Sequence, residues 1–211
     1  MPAPQVDIAL SNALNRSVTS PDDRPSRAKN GDLGAFNELV VEHQTLVYNL
    51  CYRMLGQAQA AEDVTQEAFV SAWRNIATFR GETFRPWLLR IAANLCRDEL
   101  RRRGRRPSAS LDFALEAGMP DPQDDDPSPD ASVLTSELRG RLRAALLQLP
   151  EDQRTAVVLC DVEGLDYSEI ATVMQTSLGT VKSRIARARM KMRDLLQREP
   201  ELLPGRYRPE P

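Results

Sequence analysis

No apolar run in the sequence approaches the roughly 20 residues needed to cross a bilayer, so direct membrane insertion is not expected. The N-terminus, MPAPQVDIALSN, sets no basic flank before an apolar core and is not a secretory signal. Cysteine is scarce: Cys51, Cys96 and Cys160 stand far apart, with no C-x-x-C pair to hold a metal. Each falls in an apolar helical pattern, which points to reduced, buried thiols in a cytoplasmic protein. The lone histidine, His43, has no second ligand near it and reads as a surface or packing residue. Aromatics make up only 5% of the chain, which disfavours a β-sandwich and suits small helical modules. Nothing resembles a nucleophile with its base, a glycine-rich phosphate loop or a metal cluster. The expectation is a protein that is not an enzyme, with no cofactor and no small-molecule substrate.

What is present is charge, and it is segregated. The chain as a whole carries a formal net charge of -2. Yet Arg74 to Arg106 holds ten arginines against three acids, and GTVKSRIARARMKMR (179–193) holds six cations and no acid. Between them, Pro107 to Glu137 has no Lys or Arg and eight acids. That divider is rich in Pro, Ser and Asp and cannot bury much surface, so it is expected to be a flexible acidic linker. The boundaries follow: a disordered extension over 1–28, an ordered block over 29–106, the linker over 107–131, a second block over 132–197 and a proline-rich tail over 198–211.

Both blocks have helical periodicity and no strand alternation, so the fold class is all-α, two small helical domains. In the first, Phe36, Leu39, Val40, His43, Leu46, Val47, Leu50 and Cys51 recur at three- and four-residue steps. Phe69, Ala72, Trp73 and Ile76 form a second stripe, opposite Asp63, Gln66, Glu67, Ser71 and Arg74. Pro86 suits the first turn of a further helix, whose stripe is Trp87, Leu88, Ile91, Ala92 and Leu95.

In the second block, LPEDQRTAVVLCDVEG predicts a helix from about Pro150 to about Gly164, and DYSEIATVM a short amphipathic one. A brief QTSLG connection then leads into the basic stretch, which is the helix-turn-helix plan. On a helical wheel, Val181, Ile185, Ala188 and Met192 face inward. Lys182, Arg189 and Arg193 flank that stripe on one edge, and Thr180, Arg184, Arg187 and Lys191 on the other. Ser183, Ala186 and Met190 point outward between them, small where a helix must approach base edges in a groove. Six like charges without a local acid repel one another, which favours an anionic partner over a solvated face. Gln175 stands where glycine would most easily take a left-handed conformation.

The span LPEDQRTAVVLCDVEGLDYSEIATVMQTSLGTVKSRIARARMKMRDLL resembles region 4 of the extracytoplasmic-function (group 4) sigma factors of bacterial RNA polymerase. AEDVTQEAFVSAWRNIATFRGETFRPWLLRIAANLCRDELRRRGRR is similar to their region 2. The two occur in the family's order and, with the linker, cover about 30–197. The resemblance implies an alternative sigma factor that binds core polymerase at its clamp and flap and initiates transcription of a stress or envelope-response regulon. It implies -35 contacts from Tyr167, Ser168, Thr180, Lys182, Ser183, Arg184, Ala186 and Arg187. It also implies recognition of the -10 element, and strand opening there, by the first block, and an anti-sigma factor that holds the protein inactive. By the same likeness the linker threads the polymerase cleft near the RNA exit path.

The residues of the first block can be read beside this. Asp63, Gln66 and Glu67 make a polar ridge, either an ordinary solvated face with acids near a helix start or a dock for a basic coiled coil; the resemblance selects the polymerase clamp. In FRGETFRPW, Gly81 gives backbone freedom, Glu82 and Thr83 offer hydrogen bonds to a base, and Arg80 could hold an unpaired nucleotide. Phe84 has two readings, a stacking platform for a flipped base or a core residue; Trp87 belongs to the apolar stripe. A base stacked on an aromatic ring is worth about 1–3 kcal/mol. Asn94 either contacts DNA or makes a local hydrogen bond. Arg97, Arg101 and Arg105 repeat at four-residue steps, a row that could follow a phosphate backbone. Partners are therefore core RNA polymerase, double-stranded and melted promoter DNA, and an anti-sigma protein. A helix-turn-helix repressor, a membrane-surface protein and an enzyme with an accessory DNA domain fit less well. The first has no need of the first block's motif, the second lacks Trp or Phe on its apolar face, and the third lacks a reactive pocket.

Overall fold

The computed structural model describes residues 23–80, 83–104 and 129–197. The extension up to residue 22, Gly81 and Glu82 of the loop, Arg105 and Arg106, the linker up to residue 128, and the tail 198–211 lie outside the described residues. The elements are α1 (Arg24–Lys29), α2 (Leu33–Leu55), α3 (Ala58–Asn75), a 3-10 turn (Ile76–Thr78), α4 (Phe84–Gly104), α5 (Pro129–Leu147), α6 (Glu151–Val157), α7 (Tyr167–Met174) and α8 (Leu178–Leu196). No strand occurs among the described residues.

Local chemistry sets several boundaries. Asp32 caps α2 by accepting from the Ala35 amide at 3.0 Å, and Gly56 closes that helix at φ 75°, returning its N–H to the Tyr52 carbonyl. Asp166 and Glu169 form a reciprocal capping box at the start of α7. Ser177 caps α8 through the Thr180 amide at 3.2 Å. Between α7 and α8, Gln175 takes the left-handed conformation expected of that position, at φ 51° and ψ 50°. α6 continues as a π-helical turn over Val158–Val162 before Gly164 reverses the chain at φ 68°.

α1 lies within the stretch expected to be an extension: Pro25 and Ala28 are buried against its neighbours. It packs on α2 and on the 3-10 turn, and Lys29 donates to the Phe79 carbonyl at 3.2 Å. The expected stripes of α2, α3 and α4 are buried or packed against the core, while His43 is half-buried with its ring 5.6 Å from that of Phe84. α4 is buried more widely than its stripe alone, with Leu89, Ala93 and Cys96 fully enclosed as well. The reason is that α4 packs against α2 and α3 of its own domain and also against α7 of the second.

Cys51 and Cys96 are buried, and Cys160 is only half-buried. The neighbouring Cys51 thiol, and then burial, push the Cys96 thiol well above its ordinary pKa. The Cys96 thiol is thus protonated and unreactive at neutral pH.

The two domains share one continuous apolar core, joined by polar links across their seam. Arg154 on α6, itself buried, donates to the carbonyls of Met54 at 2.5 Å, Leu147 at 2.8 Å and Leu149 at 3.2 Å. It thereby satisfies carbonyls left over at the C-terminal ends of α2 and α5. Arg143 donates to the Tyr52 hydroxyl and lies over that ring. Arg85 donates to the Glu163 carbonyl, and Arg53 approaches the Glu163 carboxylate at 4.0 Å.

Candidate nucleic-acid interface

α8 presents its faces as its wheel requires. Val181, Ile185 and Ala188 are buried, and Met192 packs against them. Fully burying Val181 and Ile185 contributes about 1.5–3 kcal/mol each, enough to fix the helix's rotation about its axis. Lys182, Ala186, Arg187, Met190, Lys191 and Arg193 are exposed, while Thr180, Ser183 and Arg184 are half-buried. Ser183 donates to the Thr180 carbonyl at 2.9 Å.

The cations divide into two groups. Arg184 pairs with Asp152 of α6. Arg189 pairs with Asp161 of the π turn at 2.5 Å, and its Nη2 also lies 3.7 Å from the Cys160 sulfur. The Arg189 guanidinium holds the Asp161 carboxyl below its ordinary range. Lys182, Arg187, Lys191 and Arg193 have no charged or hydrogen-bonded partner among the described residues. They form an unneutralised cationic strip that can receive phosphates. On α7, Ser168 is exposed, with its hydroxyl and amide both bonded to Asp166, and Tyr167 is half-buried against the core.

The second basic surface lies on α4 and the loop before it. Arg80 and Thr83 are exposed, and Glu82 is outside the described residues. Phe84 is 5% exposed, enclosed by Phe79, Trp87 and His43 with ring centroids 5.4–5.8 Å away. Of its two readings, this structure shows the core one: the ring supports the loop from below and offers solvent no face. Asn94 is exposed and accepts from Arg97 at 2.7 Å; Arg97 also lies 3.9 Å from Glu151 of the second domain. Arg101 is exposed beside Asp98 at 3.4 Å. Arg102 and Arg103 both close on Glu99 at 2.7 Å, and Arg102's hydrogen bond, ahead of Arg103's, depresses that carboxyl's pKa. Arg105 lies outside the described residues. Asn94, Arg97 and Arg101 thus run along α4 from its middle toward its C-terminal end, with Arg80 and Thr83 at the loop leading into its start.

Asp63, Gln66 and Glu67 are exposed on α3, and Asp63 accepts from Gln59 at 3.2 Å. With Val70, 47% exposed one turn on, they make a ridge with an apolar end. The acids that engage Arg97, Arg184 and Arg189 had no signal in the local sequence. They stand 28 to 54 residues from their partners and become neighbours only through packing.

Among the described residues no helix is long and apolar enough to cross a membrane, and no cluster of His, Cys, Asp or Glu is arranged to hold a metal ion. Residues 39–106 match the family described as Sigma-70 region 2, and residues 139–192 match Sigma-70, region 4. The chain is 42% identical over 187 residues to the ECF RNA polymerase sigma factor SigE of Mycolicibacterium smegmatis, a match spanning 83% of this chain and 70% of that protein. It is 43% identical over 175 residues to the RNA polymerase sigma-H factor of Pseudomonas aeruginosa, covering 81% and 91%. Among solved structures, it is similar to CnrH in complex with the cytosolic domain of CnrY, with TM-score 0.62, 28% identity and coverage of 86% and 99%. It is likewise similar to the sigma factor RpoE of Bartonella quintana in complex with the anti-sigma factor NepR, with TM-score 0.62, 25% identity and coverage of 78% and 98%.

Proposed function

The chain belongs to the extracytoplasmic-function group of the sigma-70 family, and on that footing we propose how its surfaces divide the work of promoter opening. It is an alternative sigma factor, a DNA-binding initiation factor whose catalysis is supplied by the polymerase. α8 enters the major groove of the -35 element, with Lys182 and Arg187 at its edges and Ser183 and Ala186 at the bases. Thr180 and Arg184 support its start, and Tyr167 and Ser168 lie on the preceding helix toward the backbone. The loop residues Arg80, Glu82 and Thr83, with Asn94, Arg97, Arg101 and Arg105 of α4, hold the -10 strand once it is separated. Asp63, Gln66 and Glu67 dock on the polymerase clamp.

The observation that carries this reading is the strip of exposed, unpaired cations on α8, together with a separate ridge of exposed acids on α3. One surface suits a polyanion and the other a basic protein. An anti-sigma protein is the fitting inhibitor, since the similar RpoE is in complex with the anti-sigma factor NepR, and CnrH with the cytosolic domain of CnrY. The protein works in the cytoplasm, where polymerase and promoter are.

The test is reconstitution with purified core polymerase followed by mapping of transcript starts. Discrete starts at a shared pair of upstream elements support the reading; no core binding and no directed initiation would remove it.

A further inference from the structure

The loop that leads into α4 is held at both of its ends. Phe79 and Phe84, which bracket residues 80–83, meet edge to face with ring centroids 5.8 Å apart. Trp87 closes on both, at 5.5 Å from Phe79 and 5.4 Å from Phe84. Packed rings fix where the two ends sit, but not how the backbone leaves them.

The backbone at the first end is set by a residue 50 positions earlier. Phe79 ends the 3-10 turn in an extended conformation, φ -62° and ψ 120°, with its N–H bonded back to the Ile76 carbonyl at 3.0 Å. Its own carbonyl has left the turn and accepts from the Lys29 ammonium at 3.2 Å. That carbonyl shares a planar peptide unit with the Arg80 N–H. Holding the oxygen therefore fixes the plane from which Arg80 starts, and with it the direction in which the chain enters the loop.

The arm that carries Lys29 is itself tied down. Lys29 stands in the last turn of α1, whose Pro25 and Ala28 are buried and which packs on both α2 and the 3-10 turn. Arg27 spans the bend between α1 and α2, binding one oxygen of Asp32 through two nitrogens at 3.0 and 2.7 Å, while the other oxygen caps α2. Lys29 is exposed, so it adds nothing to the core; what it supplies is a donor. It also precedes residue 39, where the match to Sigma-70 region 2 begins.

We propose that Lys29 is a positioning residue for the -10 strand: by holding the Phe79 carbonyl it presets the loop that carries Arg80 and Thr83. Binding an unpaired base then costs less ordering of that loop. The inference rests on the sigma-factor reading above, which assigns Arg80 and Thr83 to that strand. Lys29 acts through the backbone, so its effect is on recognition of the sequence and not on general attraction of a polyanion.

The test uses holoenzyme reconstituted from the full-length chain and core polymerase. Two single-stranded probes are compared. One carries the non-template -10 sequence of a promoter whose start has been mapped with wild type, and the other is scrambled at equal length. Lys29→Met keeps the stem and removes the donor, whereas Lys29→Arg keeps a cationic donor. Lys29→Met is expected to weaken binding of the -10 probe about five-fold, the scale of one lost hydrogen bond. Its affinities for the scrambled probe and for a -35 duplex should stay at wild type, and Lys29→Arg should recover most of the loss. Wild-type affinity of Lys29→Met for the -10 probe, or no recovery in Lys29→Arg, would overturn the proposal. An equal loss on both probes with the salt slope reduced by about 0.7 would also overturn it, since that marks a direct phosphate contact. So would a matching loss on the -35 duplex, which marks general damage to the fold. If wild-type holoenzyme itself does not prefer the -10 probe to the scrambled one, the sigma-factor reading fails instead.

Discussion

Glu151 and Asp152 are neighbours in the first turn of α6, yet they hold cations from opposite domains, Arg97 on α4 and Arg184 on α8. Successive helical residues point about 100° apart, so two adjacent acids can face two different partners. Asp161, ten residues on, takes a third cation, Arg189. The basic helix is therefore more selective than its composition suggests, with charges left open only at Lys182, Arg187, Lys191 and Arg193.

That division predicts unequal effects on -35 binding. Lys182→Ala with Arg187→Ala should weaken binding of a -35 duplex by about 1–3 kcal/mol per lost contact and reduce the salt slope by about 2. Arg189→Ala should leave the salt slope near wild type and lower thermal stability instead, since its charge is already spent on Asp161. Fluorescence anisotropy across a salt series distinguishes the two outcomes.

Gln175 is the one non-glycine residue at positive φ among the described residues. A left-handed conformation costs an ordinary residue about 1–2 kcal/mol, part of which glycine returns as unfolded-state entropy. Gln175→Gly should stabilise the protein by about 0.5–1 kcal/mol. Gly56→Ala should do the reverse, as it combines φ 75° with a Cβ only 2.7 Å from Leu147 Cδ1. Thermal unfolding of both variants checks the pair, and destabilisation by Gln175→Gly would refute the strain at that turn.

Much of this was legible in the sequence because it is local. The stripe Val181, Ile185, Ala188 and Met192 follows from a 3.6-residue period, and the left-handed Gln175 from the shortness of the turn. What escaped was set by packing between distant segments. α4 carries a second buried side at Leu89, Ala93 and Cys96, visible only once the other helices pack around it, as where Cys96 meets Cys51 of α2. Phe84 had two readings, because an aromatic beside a loop has the same local pattern whether it faces a base or the core. α1 is too short for periodicity to mark it, and Pro25 and Ala28 acquire their burial from other helices. The acids that neutralise Arg184 and Arg189 sit in other helices, and no window of sequence contains both partners.

Two carboxyls in one turn should respond to pH in opposite directions. Asp161 is lowered by its hydrogen bond to Arg189. Its stabilising effect is therefore full above the unfolded pKa of about 3.9 and is lost as pH falls through the lower folded value. Both side chains are substantially exposed, so the effect should be about 0.2–1 kcal/mol. Glu163 is raised, chiefly by burial. The folded state favours its proton, so this group adds stability as pH falls through its raised value, and it is strained at neutral pH. Urea unfolding from pH 3 to 7 should show Asp161→Asn weaker than wild type only at the upper end. Wild type should gain on Glu163→Gln as the pH drops toward 4.

The ridge on α3 gives a separable prediction. Asp63→Ala with Glu67→Ala should reduce core polymerase binding by at least about ten-fold, a change of ~1.4 kcal/mol. Because Asp63 and Glu67 are exposed, thermal stability and -35 duplex affinity should be unchanged. Affinity for core measured by competition would contradict the assignment if it stayed at the wild-type value.

The central claim is that α8 places the protein while the first domain opens the DNA, and permanganate footprinting of a promoter bound by reconstituted holoenzyme tests it most directly. Wild type should expose reactive thymines at the -10 element. Lys182→Ala/Arg187→Ala should abolish occupancy on a -35-dependent promoter. Arg80→Ala with Thr83→Ala and Asn94→Ala should leave the -35 element protected but the -10 thymines unreactive. Normal melting by that first-domain variant, or melting by the α8 variant at full -35-dependent occupancy, would contradict the division of labour.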